Sequence, residues 1–152
     1  MLSTTPASNY SKFILCLIVW VYHYQSGFAD DLYKRGANIF YTGSHLSGRL
    51  EGTEALGSPE LKCANCHEPS RSPFKNDNST SKGPGGEIRH GILLQTLSRR
   101  GGPSFRYDLS SFCQLLKTGV DPTNIVVPRL MPRYDISTDD CRALWIYLGS
   151  TI

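Results

Sequence analysis

The most specific pattern in this chain is the motif Cys63-Ala64-Asn65-Cys66-His67. Two thiols at this spacing, followed directly by an imidazole, form the pattern at which a c-type haem is attached. Each thiol can add to one vinyl group of the porphyrin, and the adjoining histidine can then bind the iron. Zinc and thiol-redox sites also use a C-x-x-C pair, so the histidine and an export signal decide in favour of haem. Cys63 and Cys66 are therefore candidate thioether anchors, and His67 is a candidate axial ligand.

The N-terminal residues have the pattern of a secretory signal peptide. Lys12 precedes an apolar run that is long enough for a signal-peptide core and short for a bilayer crossing. Gly27 and Ala29 place small residues at the two positions that a signal peptidase reads. The sequence predicts a cleaved signal peptide over 1–29, a periplasmic domain over 30–152 and no stable membrane insertion. An uncleaved N-terminal anchor is the alternative.

Export changes how the other cysteines are interpreted. Cys16 would be removed with the signal peptide, which leaves Cys113 and Cys141 besides the motif. In an oxidising compartment such a pair most simply forms a disulfide. Closing that loop would stabilise the fold by roughly 3 kcal/mol. Two separate buried thiols are the alternative, and a four-cysteine zinc site would need a paired spacing that these two positions lack.

The net charge excludes some classes of partner. The chain has 16 Lys and Arg residues against 13 Asp and Glu, and Lys12 would leave with the signal peptide. Two haem propionates would bring the mature charge close to zero. This balance does not suggest a nucleic-acid partner or attraction to a membrane surface.

Helix signals dominate the mature chain. Capping residues, closing glycines and apolar periodicity predict helices over three segments, Asp31–Tyr41, Asp108–Thr118 and Thr138–Leu148. Gly36 lies inside the first helix at a cost of about 1 kcal/mol relative to alanine, which indicates close packing by another element. The polar stretches 42–61 and 68–91 are interpreted as loops, and the second is long enough to cover a cofactor edge.

A haem iron held by one histidine either has a second protein ligand or an open site. Met131 is the only methionine of the predicted mature chain, and it lies in an irregular apolar segment. A lone methionine usually fills a core, but an iron that needs a ligand reverses that expectation. Met131 is therefore the candidate sixth ligand, and His90 is the alternative. Arg129 and Arg133 flank Met131 and could pair with a propionate or an acidic partner, or remain solvated.

In combination these features resemble a class I cytochrome c, the monohaem family with histidine and methionine ligation. The resemblance covers nearly the whole mature chain and rests on Gly36-x-x-x-Phe40, Cys63-x-x-Cys66-His67, Met131-Pro132 and Leu144-Trp-Ile-Tyr147-Leu148, in that order. It implies that the first and last helices cross, with Gly36 against Tyr147. It also implies a proline whose carbonyl holds His67, for which Pro84 and Pro69 are both candidates.

The resemblance implies an all-α fold, three to five helices around one covalently attached haem c, with Cys63 and Cys66 as anchors and His67 and Met131 as iron ligands. Its function would be transfer of single electrons, with no catalytic residue, between a donor dehydrogenase or electron-transport complex and a terminal acceptor. Partners would be redox proteins, and the domain would be a monomer or an oxidoreductase subunit. The alternative is a haem-bearing subunit or enzyme with an open sixth iron site for a small molecule. A zinc or thiol-redox module without haem is a third interpretation.

Overall fold

The computed structural model describes residues 27–67, 85, 88 and 90–150 of the 152-residue chain. The chain divides into two compact units, residues 1–31 and residues 32–152. In the first unit the described residues are helical and exposed, and the predicted signal-peptide core lies outside them. Within the described part of the chain, no helix combines the length and apolar character needed to cross a bilayer.

The second unit begins and ends with a helix. Residues 32–42 are helical and are called α1, and the last helix is α5, Thr138–Ser150. Between them follow β1 (Ser47–Arg49), β2 (Ala55–Leu56), α2 (Ser58–Leu61), a 3-10 turn (Cys63–Asn65), α3 (His90–Leu93), β3 (Leu97–Ser98), β4 (Ser104–Phe105), α4 (Leu109–Thr118) and β5 (Arg133–Asp135). The strands form two antiparallel sheets, β2-β1-β5 and the hairpin β3-β4.

The prediction of an all-α cytochrome fold is wrong, because the described residues form a mixed α/β structure with two small sheets. Strand β1 lies within the stretch interpreted as a loop. It has three residues and no apolar alternation, so sequence periodicity does not reveal it. The strand is held through its backbone. Gly48 pairs with Leu56 and Tyr134, and an added Cβ at Gly48 would collide with the carbonyl of Arg133.

Helices α1 and α5 make close contact at the core. A Cβ at Gly36 would collide with the carbonyl of Ala143 and would lie 2.7 Å from the Cβ of Tyr147. The rings of Phe40 and Tyr147 pack with centroids 5.5 Å apart. The expected contact of Gly36 with Tyr147 is therefore present. The largest fully buried side chains, most of them on these two helices, are Ile39, Phe40, Leu61, Cys141, Leu144 and Leu148.

Helix α4 is fixed at both ends and is covalently joined to α5. The Asp108 side chain accepts the amide of Ser111 at 2.7 Å to cap its start, and Gly119 ends it in a left-handed conformation. Cys113 and Cys141 form a disulfide with their Cα atoms 5.9 Å apart. This is the pairing that the sequence favoured over two separate thiols, and it links neighbouring faces of the two helices.

Candidate haem-attachment site

The motif residues form a tight turn directly after α2. The amides of Cys66 and His67 both donate to the carbonyl of Cys63, at 3.1 and 2.8 Å. The side-chain amide of Asn65 donates to two carbonyls of α2, at 3.1 and 3.0 Å, which ties the turn to the preceding helix. The local backbone therefore gathers two thiols and one imidazole on a single turn, as attachment of a c-type haem requires.

The two thiols of this turn have different surroundings. Cys63 is buried beside Tyr134 of β5, whereas Cys66 is half-buried. Burial raises the pKa of Cys63 to about 12, although hydrogen bonds from its own backbone and from Tyr134 act in the opposite direction. Burial also raises the pKa of Tyr134. A thiol-redox site needs an accessible thiol of low pKa, and Cys63 is not such a thiol.

The imidazole of His67 is covered along one edge by backbone. The amide of Gly85 donates to the carbonyl of Cys66 at 3.0 Å. A Cβ at Gly85 would lie 2.5 Å from Cε1 and 2.6 Å from Nδ1 of His67, so only glycine allows this approach. Ligand histidines are generally oriented by contacts at the ring nitrogen that does not bind the metal. Pro84 and Pro69, the expected partners of His67, lie outside the described residues.

Met131 lies in the segment between α4 and β5, residues 119–132, which we call the Met131 loop. Its side chain is half-buried and packs against the hydrophobic core. Its amide donates to the carbonyl of Pro128 at 3.0 Å. Shortly after Met131 the chain reaches Tyr134, which contacts Cys63, so β5 connects this loop with the motif turn. His90, the alternative ligand, is the first residue of α3.

Arg133 binds the backbone of the Met131 loop. Its Nη1 donates to the carbonyl of Met131 at 2.6 Å, and its Nη2 donates to the carbonyl of Val127 at 3.3 Å. The guanidinium lies against Gly119, where an added Cβ would collide with it. The sequence alone does not decide whether this side chain binds a propionate, binds an acidic partner or stays solvated. In the structure it donates hydrogen bonds to carbonyls of the Met131 loop.

Arg129, the other arginine beside Met131, is a surface residue. Its side chain is 80% exposed and pairs with Glu51 across 3.2 Å. Two exposed side chains in such a pair contribute little to stability. Arg129 is therefore a suitable control for Arg133, because it lies near Met131 in sequence but pairs with Glu51 at the surface.

Two residues of this region are not indicated as functional by the sequence. Asp121 is buried, pairs with Arg100 and accepts the amides of Thr123 and Ile125 at 2.8 and 3.0 Å. The Asp-Pro-Thr-Asn sequence is a turn signal, and from it one could have predicted that the Asp121 side chain accepts backbone amides of the turn. Tyr134 has no such signal, because its contact with Cys63 joins distant parts of the chain.

The comparisons with known proteins do not assign this chain. No protein-family model, no curated protein and no solved structure matches it. Within residues 27–67, 85, 88 and 90–150, no group of three or more His, Cys, Asp or Glu side chains is arranged to hold a metal ion. The function is therefore argued from the motif turn and its surroundings.

Proposed function

We propose that this chain is an exported c-type cytochrome that carries single electrons through one covalently attached haem. The supporting observation is the turn that gathers Cys63, Cys66 and His67, with one edge of the imidazole held against Gly85. The two thiols would anchor the porphyrin, His67 would bind the iron, and Met131 would be the sixth ligand. When bound, the haem supplies a centre that gains and loses one electron reversibly.

The residues around the motif would keep this centre dry and fixed. Ligation by His67 and Met131 would stay the same in both oxidation states, so that little of the protein rearranges with each electron. Ligation by methionine and burial of the haem would raise the reduction potential above that of a haem with two histidine ligands, because both disfavour the additional positive charge of ferric iron. Tyr134, buried beside Cys63, would help to exclude water from the anchored edge.

Export to the periplasm is part of the proposal. It is supported by the predicted signal peptide over 1–29 and by the bond between Cys113 and Cys141, since disulfides persist in oxidising compartments. Redox proteins would be the partners, as donor and acceptor. The mixed α/β fold is compatible with this function, because function resides in a site and one chemistry recurs on different folds.

The test is the visible spectrum of the periplasmic protein, made with haem-attachment machinery, in oxidised and reduced forms. We expect a Soret band, low-spin bands and a weak far-red sulfur-to-iron band. Met131→Ala should remove the far-red band and retain the covalent haem. Replacing both Cys63 and Cys66 by alanine should abolish covalent attachment, whereas the double replacement of Cys113 and Cys141 should preserve it.

Three other results would contradict the proposal in different ways. A protein without a Soret band would carry no haem, and a zinc or thiol-redox module would then be favoured. A high-spin wild-type spectrum, with ready binding of carbon monoxide or cyanide, would favour the alternative haem protein with an open sixth site. A low-spin spectrum that lacks the far-red band and does not change in Met131→Ala would direct the search for the sixth ligand to His90.

A further inference from the structure

We infer that Arg133 is a positioning residue that holds the Met131 loop in the conformation required for Met131 to act as a ligand. This inference rests on the proposed ligation by Met131 and goes beyond it, because it concerns how the loop is shaped. The loop has little regular structure of its own. Between the end of α4 and β5, the described backbone has one isolated antiparallel bridge, from Val120 to Val126.

Few backbone hydrogen bonds hold the segment next to Met131. The amide of Val127 donates to the carbonyl of Gly119 at 2.8 Å, and the amide of Met131 donates to the carbonyl of Pro128 at 3.0 Å. The carbonyls of Val127 and Met131 both accept from Arg133. One side chain thereby spans the two ends of the turn that carries the sulfur.

The chemistry of arginine suits this task. Its guanidinium is a planar fork with several donors in fixed directions, and a hydrogen bond from a charged donor is stronger than a neutral one. Lysine has a single compact ammonium on a flexible stem and does not reproduce the fork. The two acceptors are bound by different nitrogens of Arg133, so the loop depends on the fork and not only on the charge.

Gly119 makes room for the fork. This residue ends α4 with φ of 70°, and a side chain there would displace the guanidinium. The cation also lies at the C-terminal end of α4, where the partial negative charge of the helix favours it. The same glycine therefore ends the helix and seats the side chain that shapes the Met131 loop.

The first test compares Arg133→Gln with Arg129→Gln in the haem-loaded protein. Imidazole is titrated against the far-red sulfur-to-iron band, and hydrogen exchange is measured over residues 119–132. Loss of charged hydrogen bonds to two carbonyls should let imidazole displace the sulfur at roughly tenfold lower concentration in Arg133→Gln. Exchange of the Val127 and Met131 amides should accelerate in that variant. Arg129→Gln should match the wild type in both measurements, and Arg133→Lys should recover only part of the difference.

The second test uses a matched pair of glycines and keeps both arginines. Gly119 and Gly101 have similar φ angles, 70° and 76°, but an added Cβ at Gly101 meets nothing within 4 Å. Alanine at either position carries the cost of a left-handed backbone. Only Gly119→Ala should displace the guanidinium, so only this variant should lower the imidazole concentration that removes the far-red band.

The outcomes separate this inference from the proposed function. A wild-type spectrum without a sulfur-to-iron band would overturn the ligation by Met131, and the positioning role with it. A normal wild-type band, with Arg133→Gln indistinguishable from Arg129→Gln in imidazole titration and exchange, would overturn the positioning role alone. A difference confined to global unfolding, with unchanged imidazole displacement in the folded variants, would also overturn it.

Discussion

Gly36 of α1 lies so close to the backbone carbonyl of Ala143 in α5 that the two helices meet without an intervening side chain. The rings of Phe40 and Tyr147 close the same contact from one side. The hydroxyl of Tyr147 also donates to that of Tyr41 at 3.1 Å. This crossing joins the beginning and the end of the second unit, so its fit should matter for the whole fold.

Replacing Gly36 by alanine should destabilise the protein by about 2 kcal/mol or more, because the new Cβ would force α1 and α5 apart. The measurement is the free energy of unfolding in denaturant. Gly91→Ala is the control, since Gly91 lies within α3 and has nothing within 4 Å of an added Cβ. That variant should be neutral or more stable by up to about 1 kcal/mol. Equal stability of Gly36→Ala and the wild type would contradict the close crossing.

Removing the disulfide should lower the free energy of unfolding by about 3 kcal/mol, because the bond closes a loop with a sequence separation of 28 residues. The variant replaces both Cys113 and Cys141 by alanine, which avoids burying new hydroxyl groups. A reductant should destabilise the wild type and leave the double variant unchanged. If the reductant destabilised both proteins equally, the effect could not be assigned to this bond.

Asp121 should make the protein sensitive to acid. Its burial raises the pKa, but Arg100 and the hydrogen bonds from Thr123 and Ile125 outweigh this and lower it from 3.8 to about 2. A carboxylate with a lowered folded-state pKa stabilises above the unfolded value. Its contribution of roughly 2 kcal/mol is lost as the pH falls from about 4 to about 2.

Asp121→Asn should therefore be less stable than the wild type at pH 7 and should lose less stability on acidification. Denaturant unfolding at a series of pH values measures both effects. The variant should keep some acid sensitivity through Asp108 and Asp140. Hydrogen bonds lower the pKa of the Asp108 carboxyl group. Burial raises the pKa of Asp140, but hydrogen bonds outweigh it and lower the pKa overall. Asp135→Asn, at an exposed position of β5, controls for the loss of one negative charge. An unchanged pH slope in Asp121→Asn would contradict the assignment.

The motif cysteines should react unequally before haem attachment. In protein made without the attachment machinery, with the motif thiols reduced before alkylation, Cys66 should be alkylated at least roughly tenfold faster than Cys63. Cys63 is buried, and its pKa is raised to about 12 by that burial, so little thiolate is accessible. Mass spectrometry after brief alkylation measures the ratio. Neither cysteine should react in the haem-loaded protein, and faster alkylation of Cys63 would contradict the described burial.

Structural elements whose signals lie within one short segment of the chain can be predicted from the sequence. The signals for the helices ending near Tyr41, Thr118 and Leu148 lie within each segment, and these helices are present within a few residues of the predicted bounds. One glycine in an otherwise helical pattern indicates close packing at Gly36, whereas the choice of Tyr147 as its partner comes from the resemblance to a class I cytochrome c. The motif turn at Cys63 is likewise local.

Long-range pairing is what the sequence does not encode locally. Strand β1 consists of Ser47, Gly48 and Arg49. Its partner β5 is distant in the sequence, so no local pattern indicates that the two strands pair. The same applies to the contact of Tyr134 with Cys63 and to Arg133, whose acceptors are carbonyls that any sequence would supply. The error in fold class therefore arises from short strands held by backbone contacts.

The disulfide between Cys113 and Cys141 closes a covalent ring that contains Gly119, Met131 and Arg133. Met131 and a haem anchored at the two motif cysteines would belong to one chain, so return of a dissociated sulfur would be an intramolecular step with or without the disulfide. The ring restricts how far the segment that carries Met131 can move from the iron and so raises the effective concentration of the sulfur there. In a reducing compartment that restriction would be lost, so the redox state of the surroundings would affect how quickly an opened iron site closes again.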